Sequence, residues 1–450
     1  MHPLGLLIAV SLGLASPGSV RAAGEVATFT LENGMLGVVI EDRRAPVVTH
    51  MVWYRVGSAD EEPGQSGIAH FLEHLMFKAT DRLDDGEFSR IVSANGGQDN
   101  AFTSTDYTGY FQRISADRLD LVMGLEANRM VHLDPGADAV IAERDVVLEE
   151  RRQVVENDPG GPFSEQRRAA LYLNHPYGRP VIGWEHEIET FDEEMALNFY
   201  RQHYAPNNAI LIVAGDVNLA EVEELARKHY GPIPASEAIP PRIRPQEPPP
   251  RSARRVEFSD PRVRQPYVSR SYLAPQRRPG DQREAAALYV LAELLGGSGI
   301  TSLMAKELVL SQEVALDAGA YYSDLGVDPT SFSLYVVPRA GVSLAEAEAS
   351  LDALIAAFVE EGPDPEALGR IRNRIRAAEI YALDDQQGRA RRYGRALVTG
   401  LSVEDVEAWP DLLQEISAEE IRAAAETVFR PEASVTGLLV SSDVNAEIGQ

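Results

Sequence analysis

Ser66-Gly67-Ile68-Ala69-His70-Phe71-Leu72-Glu73-His74-Leu75-Met76-Phe77-Lys78-Ala79-Thr80 is the stretch around which the rest of the chain can be read. Ile68, Phe71, Leu72, Leu75 and Met76 recur at helical spacing, so the stretch predicts an amphipathic helix with Ser66 as its N-cap. Residues three and four apart share a helix face, so His70 and His74 project one turn apart with Glu73 beside them. Two imidazoles at i and i+4 can hold one zinc ion, and a neighbouring carboxylate can act as a base towards water. A buried helix that happens to carry two histidines has the same pattern. The remainder of a site has to come from elsewhere in the chain.

Composition narrows the class. The chain has 450 residues, 44% of them hydrophobic and 25% charged, which predicts a globular protein of two or three domains. Its 42 Lys and Arg face 69 Asp and Glu, a formal charge of −27 that argues against nucleic acid or an anionic membrane as partner. There is no cysteine, so any zinc must be held by histidine and carboxylate. Leu4 to Leu14 is a short apolar run, followed by Pro17, Gly18 and the small pair Ala22-Ala23. Residues 1–23 are therefore read as an export signal, which places the mature chain in a bacterial periplasm. No later stretch is apolar for long enough to predict a transmembrane segment.

Before the histidine-rich helix, Val26 to Leu31, Leu36 to Ile40 and Val47 to Val56 read as strands, the first two joined at Asn33-Gly34. After it come a helix over 85–95, two extended segments around Asp106, and helices over 115–131 and 137–156. Glu143 and Glu150 lie seven apart on the last of these, two turns along one face. A catalytic zinc site needs a third protein ligand and an open position, and a carboxylate here could supply that ligand. Spacing alone does not choose between these carboxylates and a charged solvent face. Helices follow at 163–173 and Asp192 to His203, then an apolar strand over Asn208 to Ala214.

Residues 231–250 hold eight of the 28 prolines and read as an extended linker. This divides the chain into 24–230, a linker over 231–253, and 254–450. The second half repeats the rhythm of the first, with strands at 256–258 and 267–273, a helix over Arg283 to Leu295, a strand over 331–337 and a closing strand over 435–440. Helices are read at 343–361, 365–382, 385–398 and 417–429. The repetition suggests an internal duplication. The second half contains no histidine, so a metal site belongs to the first.

Several segments in order resemble the pitrilysin/insulinase family of zinc metallopeptidases (inverzincins), and especially single-unit members such as mitochondrial processing peptidase and its bacterial relatives. They are Gly57 to Gly64 leading into Gly67 to Thr80, Asn100 to Ser104, Val146 to Arg152, His175 to Gly178 and Tyr204 to Asn208. The resemblance implies an α+β fold of two similar domains, each an antiparallel sheet flanked by helices, in a clamshell arrangement. It implies one zinc ion on His70, His74 and Glu150, with Glu73 as general base and Glu143 supporting the site. It also places Asn100, Ala101, Phe102 and Thr103 on an edge strand that pairs with extended, unfolded peptide.

One departure stands out. Family members carry an Arg and, seven residues later, a Tyr in the second half that reach the substrate. Aligning Ser302 to Leu308 and Gly319 to Tyr322 puts Val309 and Leu316 at those positions, and neither can donate a hydrogen bond. The expectation is a zinc endopeptidase whose homologous partner subunit, in a hetero-oligomer or homodimer, supplies the pair. The alternatives are a non-catalytic peptide-binding or assembly subunit, and a structural metal-binding protein.

Overall fold

The computed structural model describes residues 26–297 and 299–442; the expected export signal lies outside them. Eleven strands among the described residues form two sheets. In the first, β1 (Val26–Thr30), β2 (Leu36–Glu41), β3 (Val47–Tyr54), β4 (Gln98–Thr103), β5 (Thr108–Ser115) and β6 (Ala209–Gly215) lie in the order β1-β2-β6-β3-β5-β4. In the second, β7 (Arg254–Ser259), β8 (Tyr267–Ala274), β9 (Ala315–Tyr322), β10 (Thr330–Pro338) and β11 (Val435–Val440) lie in the order β7-β11-β8-β10-β9.

Without β1, the two orders are the same. In each sheet the last strand in sequence inserts between the first two. β2 and β3 run in opposite directions, so β6 between them must be parallel to one, and it is parallel to β2. β11 is likewise parallel to β7 and antiparallel to β8. Each sheet is thus antiparallel except for one pair, a refinement of the all-antiparallel expectation. β6 is wholly buried, which explains its unbroken apolar run Ala-Ile-Leu-Ile-Val-Ala where a half-exposed strand would alternate.

The two sheet units exchange helices. The helix Gly160–Leu171 leaves the first unit and packs on β11, β7 and β8 of the second. The helix Gln386–Val398 of the second packs on β6 and β3 of the first. Each exchange is seated by an aromatic ring on a glycine. A Cβ on Gly437 would come within 2.6 Å of the Phe163 ring, and one on Gly394 within 2.1 Å of Trp53.

Residues 231–253 contain no helix or strand, as their prolines dictate, yet they are pinned. Arg244 is buried and places its guanidinium 2.6 Å from Asp106, 2.7 Å from Asp60 and 3.2 Å from Asp328, so it joins the segment to both halves. Other features are not visible in sequence pattern. β9 reads Ala-Leu-Asp-Ala-Gly-Ala-Tyr-Tyr, too small-residue-rich to signal a strand. The helix Val403–Glu415 contains Pro410, which argues against a helix when read alone. Among the described residues, no helix is long and apolar enough to cross a membrane.

Candidate metal centre

The quoted stretch forms helix α1 (Ile68–Leu75), with Ile68, Ala69, Phe71, Leu72 and Leu75 buried. Its N-terminus differs from expectation, because Ser66 does not cap it. Gly67 precedes the helix in the left-handed region, φ 95°, and the Ser66 hydroxyl instead accepts from Trp184 N at 3.0 Å. The first turn is capped by Glu61, whose two carboxylate oxygens accept Gly67 N–H and Ala69 N–H, each at 3.0 Å. Burial pushes the Glu61 carboxyl up, and these N–H donors oppose that. The sequence signal for such a cap is an acidic residue just ahead of a helix start.

α1 presents its two histidines to the helix Ala137–Arg151. His70 Nε2 lies 3.7 Å and His74 Nε2 3.2 Å from Glu150 Oε2. Ligand atoms of His70, His74 and Glu150 all fall within 4.8 Å of one another. Glu143 does not join this cluster; its Oε1 lies 2.8 Å from His74 Nδ1, and its Oε2 lies 2.7 Å from Lys78 Nζ. Lys78, one turn beyond His74, thereby joins the network behind the cluster.

The electrostatics of the cluster call for positive charge. If His74 donates Nδ1–H to Glu143, its Nε2 lone pair faces a carboxylate oxygen, which is repulsive unless a proton or a cation lies between them. Without a cation the proton takes that place. Burial opposes it, but hydrogen bonds to Glu143 and Glu150 outweigh burial and raise the His74 pKa to about 9. Burial and the neighbouring His74 push His70 down to about 4, and the His74 bond holds Glu150 below the usual carboxylate range. Two imidazoles and one carboxylate converging at this distance are a donor set that fits zinc with an open fourth position.

Glu73 lies on the same helix between the two histidines. Burial pushes its pKa up to about 7, against the Thr103 hydroxyl, which donates to Glu73 Oε2 at 2.5 Å. Thr103 ends β4, and among the described residues β4 pairs only with β5, which leaves its other edge open. Alternation along β4 separates the four predicted contact residues. Thr103 turns to α1, and Ala101 packs at the edge of the same core. Phe102 turns to the opposite side, against Trp53 at 4.6 Å and beneath Arg391. Asn100 is exposed, and its Oδ1 accepts Ala101 N–H. The Phe102 side chain is therefore occupied within the protein.

In the second half, Val309 packs against the core and Leu316 is 55% exposed on β9, so neither position offers a donor. His175, His186 and His203 do not join the cluster. His175 lies 3.0 Å from Asp328, His203 is buried, and His186 is exposed.

Comparison with known proteins agrees with the fold. Residues 37–185 match the family model described as insulinase (peptidase family M16), and residues 190–375 match the one described as peptidase M16 inactive domain. A zinc protease of Helicobacter pylori, PqqE, is 36% identical over 301 residues, covering 66% of this chain and 67% of that protein. A crystal structure of a protease from Helicobacter pylori superposes with a TM-score of 0.86 at 30% identity, over 92% of this chain and 99% of that one. The first half of the periplasmic protease PqqL from Escherichia coli shares the fold, with a TM-score of 0.80 at 23% identity over 94% of each chain. A probable mitochondrial-processing peptidase subunit beta of Arabidopsis thaliana is 24% identical over 86% of this chain and 73% of that protein. This chain belongs to peptidase family M16, whose relatives here are named zinc proteases.

Proposed function

We propose that the chain is a zinc-dependent endopeptidase acting on unfolded or short peptides, with His70, His74 and Glu150 as zinc ligands. The observation that carries this reading is the convergence of these three side chains beside a half-buried carboxylate and an open strand edge. Zinc held there supplies a Lewis acid that polarises a carbonyl and acidifies water.

The chain's own residues do the rest. The free edge of β4, from Asn100 to Thr103, offers backbone donors and acceptors to an extended peptide, and a folded protein cannot present such a strand. Glu73 takes the proton from the attacking water and returns it to the leaving amine nitrogen. A pKa of about 7 suits a group that must both accept and donate near neutrality. The Thr103 hydroxyl fixes one oxygen of Glu73 and so orients the other. Glu143 fixes the His74 ring, and Lys78 neutralises Glu143.

Val309 and Leu316 favour an addition to this reading, that a homologous partner subunit provides the missing hydrogen-bond donors. The Arabidopsis relative is named as a subunit, which supports it. Export to the periplasm is supported by the N-terminal apolar run and by the likeness to PqqL, a periplasmic protease.

Glu73→Gln tests the mechanism. The variant should keep its zinc and lose roughly a hundredfold or more of its peptide cleavage. Unchanged cleavage would sink the proposed role of Glu73. The isolated chain, assayed on an unfolded peptide, tests the partner. Strong cleavage by that chain alone would refute dependence on a second subunit.

A further inference from the structure

The two exchanged helices cover very different surfaces. Beneath Gln386–Val398 the first sheet presents Val38, Ile40, Met51, Trp53, Ile210 and Ile212, a continuous apolar core. Beneath Gly160–Leu171 the second sheet is covered by Phe163, with Val263 and Leu439, but is hollow beside that contact. A cavity of about 560 Å³ lies there, bounded by the helix, the sheet and the 104–107 turn. β10 alternates so that Phe332, Leu334 and Val336 enter the core, while Ser331 and Ser333 face the cavity. Ser271 of β8 sits opposite, its Oγ 2.9 Å from Ser333 Oγ. The second unit keeps the architecture of the first, with part of the apolar interface replaced by a face lined with hydroxyls.

The cavity also gathers cations. Ser164, Arg167, Arg168 and Leu171 face it from one side of the exchanged helix, at spacings of three and four. Arg395 approaches from the other exchanged helix. Arg167 Nη1 donates to Ser271 Oγ at 3.0 Å, and its Nε is buried with no partner. Burial pushes its pKa down. Among the described residues, none of these three arginines is in an ion pair. With 69 acidic residues to 42 basic ones, unpaired guanidinium groups are not expected to collect in one place. The two carboxylates at the cavity are engaged elsewhere. Asp106 holds Arg244 at 2.6 Å and accepts from the Tyr177 hydroxyl at 2.6 Å, and Asp324 lies 3.5 Å from Arg277.

We propose that this cavity binds a small oxyanion, a phosphate or a peptide carboxylate, on Arg167, with Arg168 and Arg395 at its mouth. A planar guanidinium matches either group through paired N–H donors, and the serine hydroxyls rotate to donate as well. The volume lies within the range of small-molecule sites. None of His70, Glu73, His74 and Glu150 lines the cavity, so it is separate from the metal centre. Ser104, at its edge, directly follows Thr103, so the site adjoins the end of β4.

Calorimetric titration at constant ionic strength tests this, using inorganic phosphate and, separately, a triglutamate peptide. The parent, Arg167→Gln and Arg395→Ala are compared. The expected result is saturable one-site binding that is about tenfold or more weaker in Arg167→Gln and weaker by a smaller factor in Arg395→Ala. Binding of phosphate alone identifies a free anion as the ligand. Binding of the peptide alone identifies a substrate carboxylate. Phosphate held at the metal centre would not respond to either substitution. Equal affinity in parent and variants, or no saturable binding of either probe, overturns the proposal. Should Arg167→Gln fail to fold, the exposed Arg395→Ala decides the matter by the same comparison.

Discussion

Glu143→Ala removes a carboxylate that touches no metal ligand atom of the cluster, yet it should weaken zinc binding. Glu143 Oε1 lies 2.8 Å from His74 Nδ1, which directs His74 Nε2 at Glu150, 3.2 Å away. A hydrogen bond to an ionised group contributes roughly 1.5–3 kcal/mol, so the bare ring loses that much of its hold on one orientation. The same substitution frees Lys78, whose Nζ lies 2.7 Å from Glu143 and keeps only Asp85 at 3.8 Å. An unneutralised ammonium beside the cluster further opposes a bound cation. Together these terms predict a loss of about 10–100-fold in zinc affinity, the range seen when partners behind a ligand are removed. Glu143→Gln keeps an acceptor oxygen and loses the charge, so it should fall near the tenfold end. Lys78→Met leaves the Glu143–His74 bond in place and should change affinity less than either. The assay is competition for zinc against a chromogenic chelator at fixed pH, with urea unfolding of each metal-free variant to establish that it folds. Zinc affinity in Glu143→Ala within twofold of the parent would refute the orienting role.

Arg244→Met should lower stability by roughly 3 kcal/mol, because it leaves the buried Asp106 and the half-buried Asp60 with Arg242 as their remaining guanidinium partner, at 3.6 and 3.1 Å. An unaltered urea midpoint would show that the proline-rich segment does not pin the halves. Gly394→Ala places a methyl group against the Trp53 ring and should cost about 1–3 kcal/mol by overpacking, read from the same unfolding curve. A neutral effect would mean that the exchanged helix shifts without penalty. Burial holds His203 at about 4, below the ordinary value near 6.5. Its folded pKa is depressed, so the neutral ring's contribution is complete above pH 6.5 and is lost as pH falls towards 4. By pH 5 roughly 2 kcal/mol should be gone. His203→Phe should therefore lose less stability than the parent between pH 7 and pH 5, and equal losses would contradict the assignment.

The candidate metal cluster is legible in outline from sequence because half of it is local. His70 and His74 sit four apart on a helix whose apolar stripe, Ile68 to Met76, is itself a local pattern, and helical geometry then places both rings on one face. The duplication was legible for a related reason: strand and helix periodicities recur in the same order in both halves. Glu150 was a different case. Its neighbours on the helix are also charged, and only the packing of Ala137–Arg151 against α1 separates a carboxylate near the histidines from the others. The Glu61 cap and the Thr103–Glu73 bond likewise join groups that periodicity cannot relate, because each depends on how a loop or strand end meets α1. The insertion of β6 and β11 between earlier strands, the exchange of two helices and the hollow beneath one of them are long-range choices. They are made by which apolar faces cover each other, and by where serines and arginines leave a face uncovered. Sequence by itself determined the chemistry that α1 could offer. Tertiary packing decided which distant carboxylates, hydroxyls and cations would meet it, because those contacts are set by burial between elements and not by spacing within one.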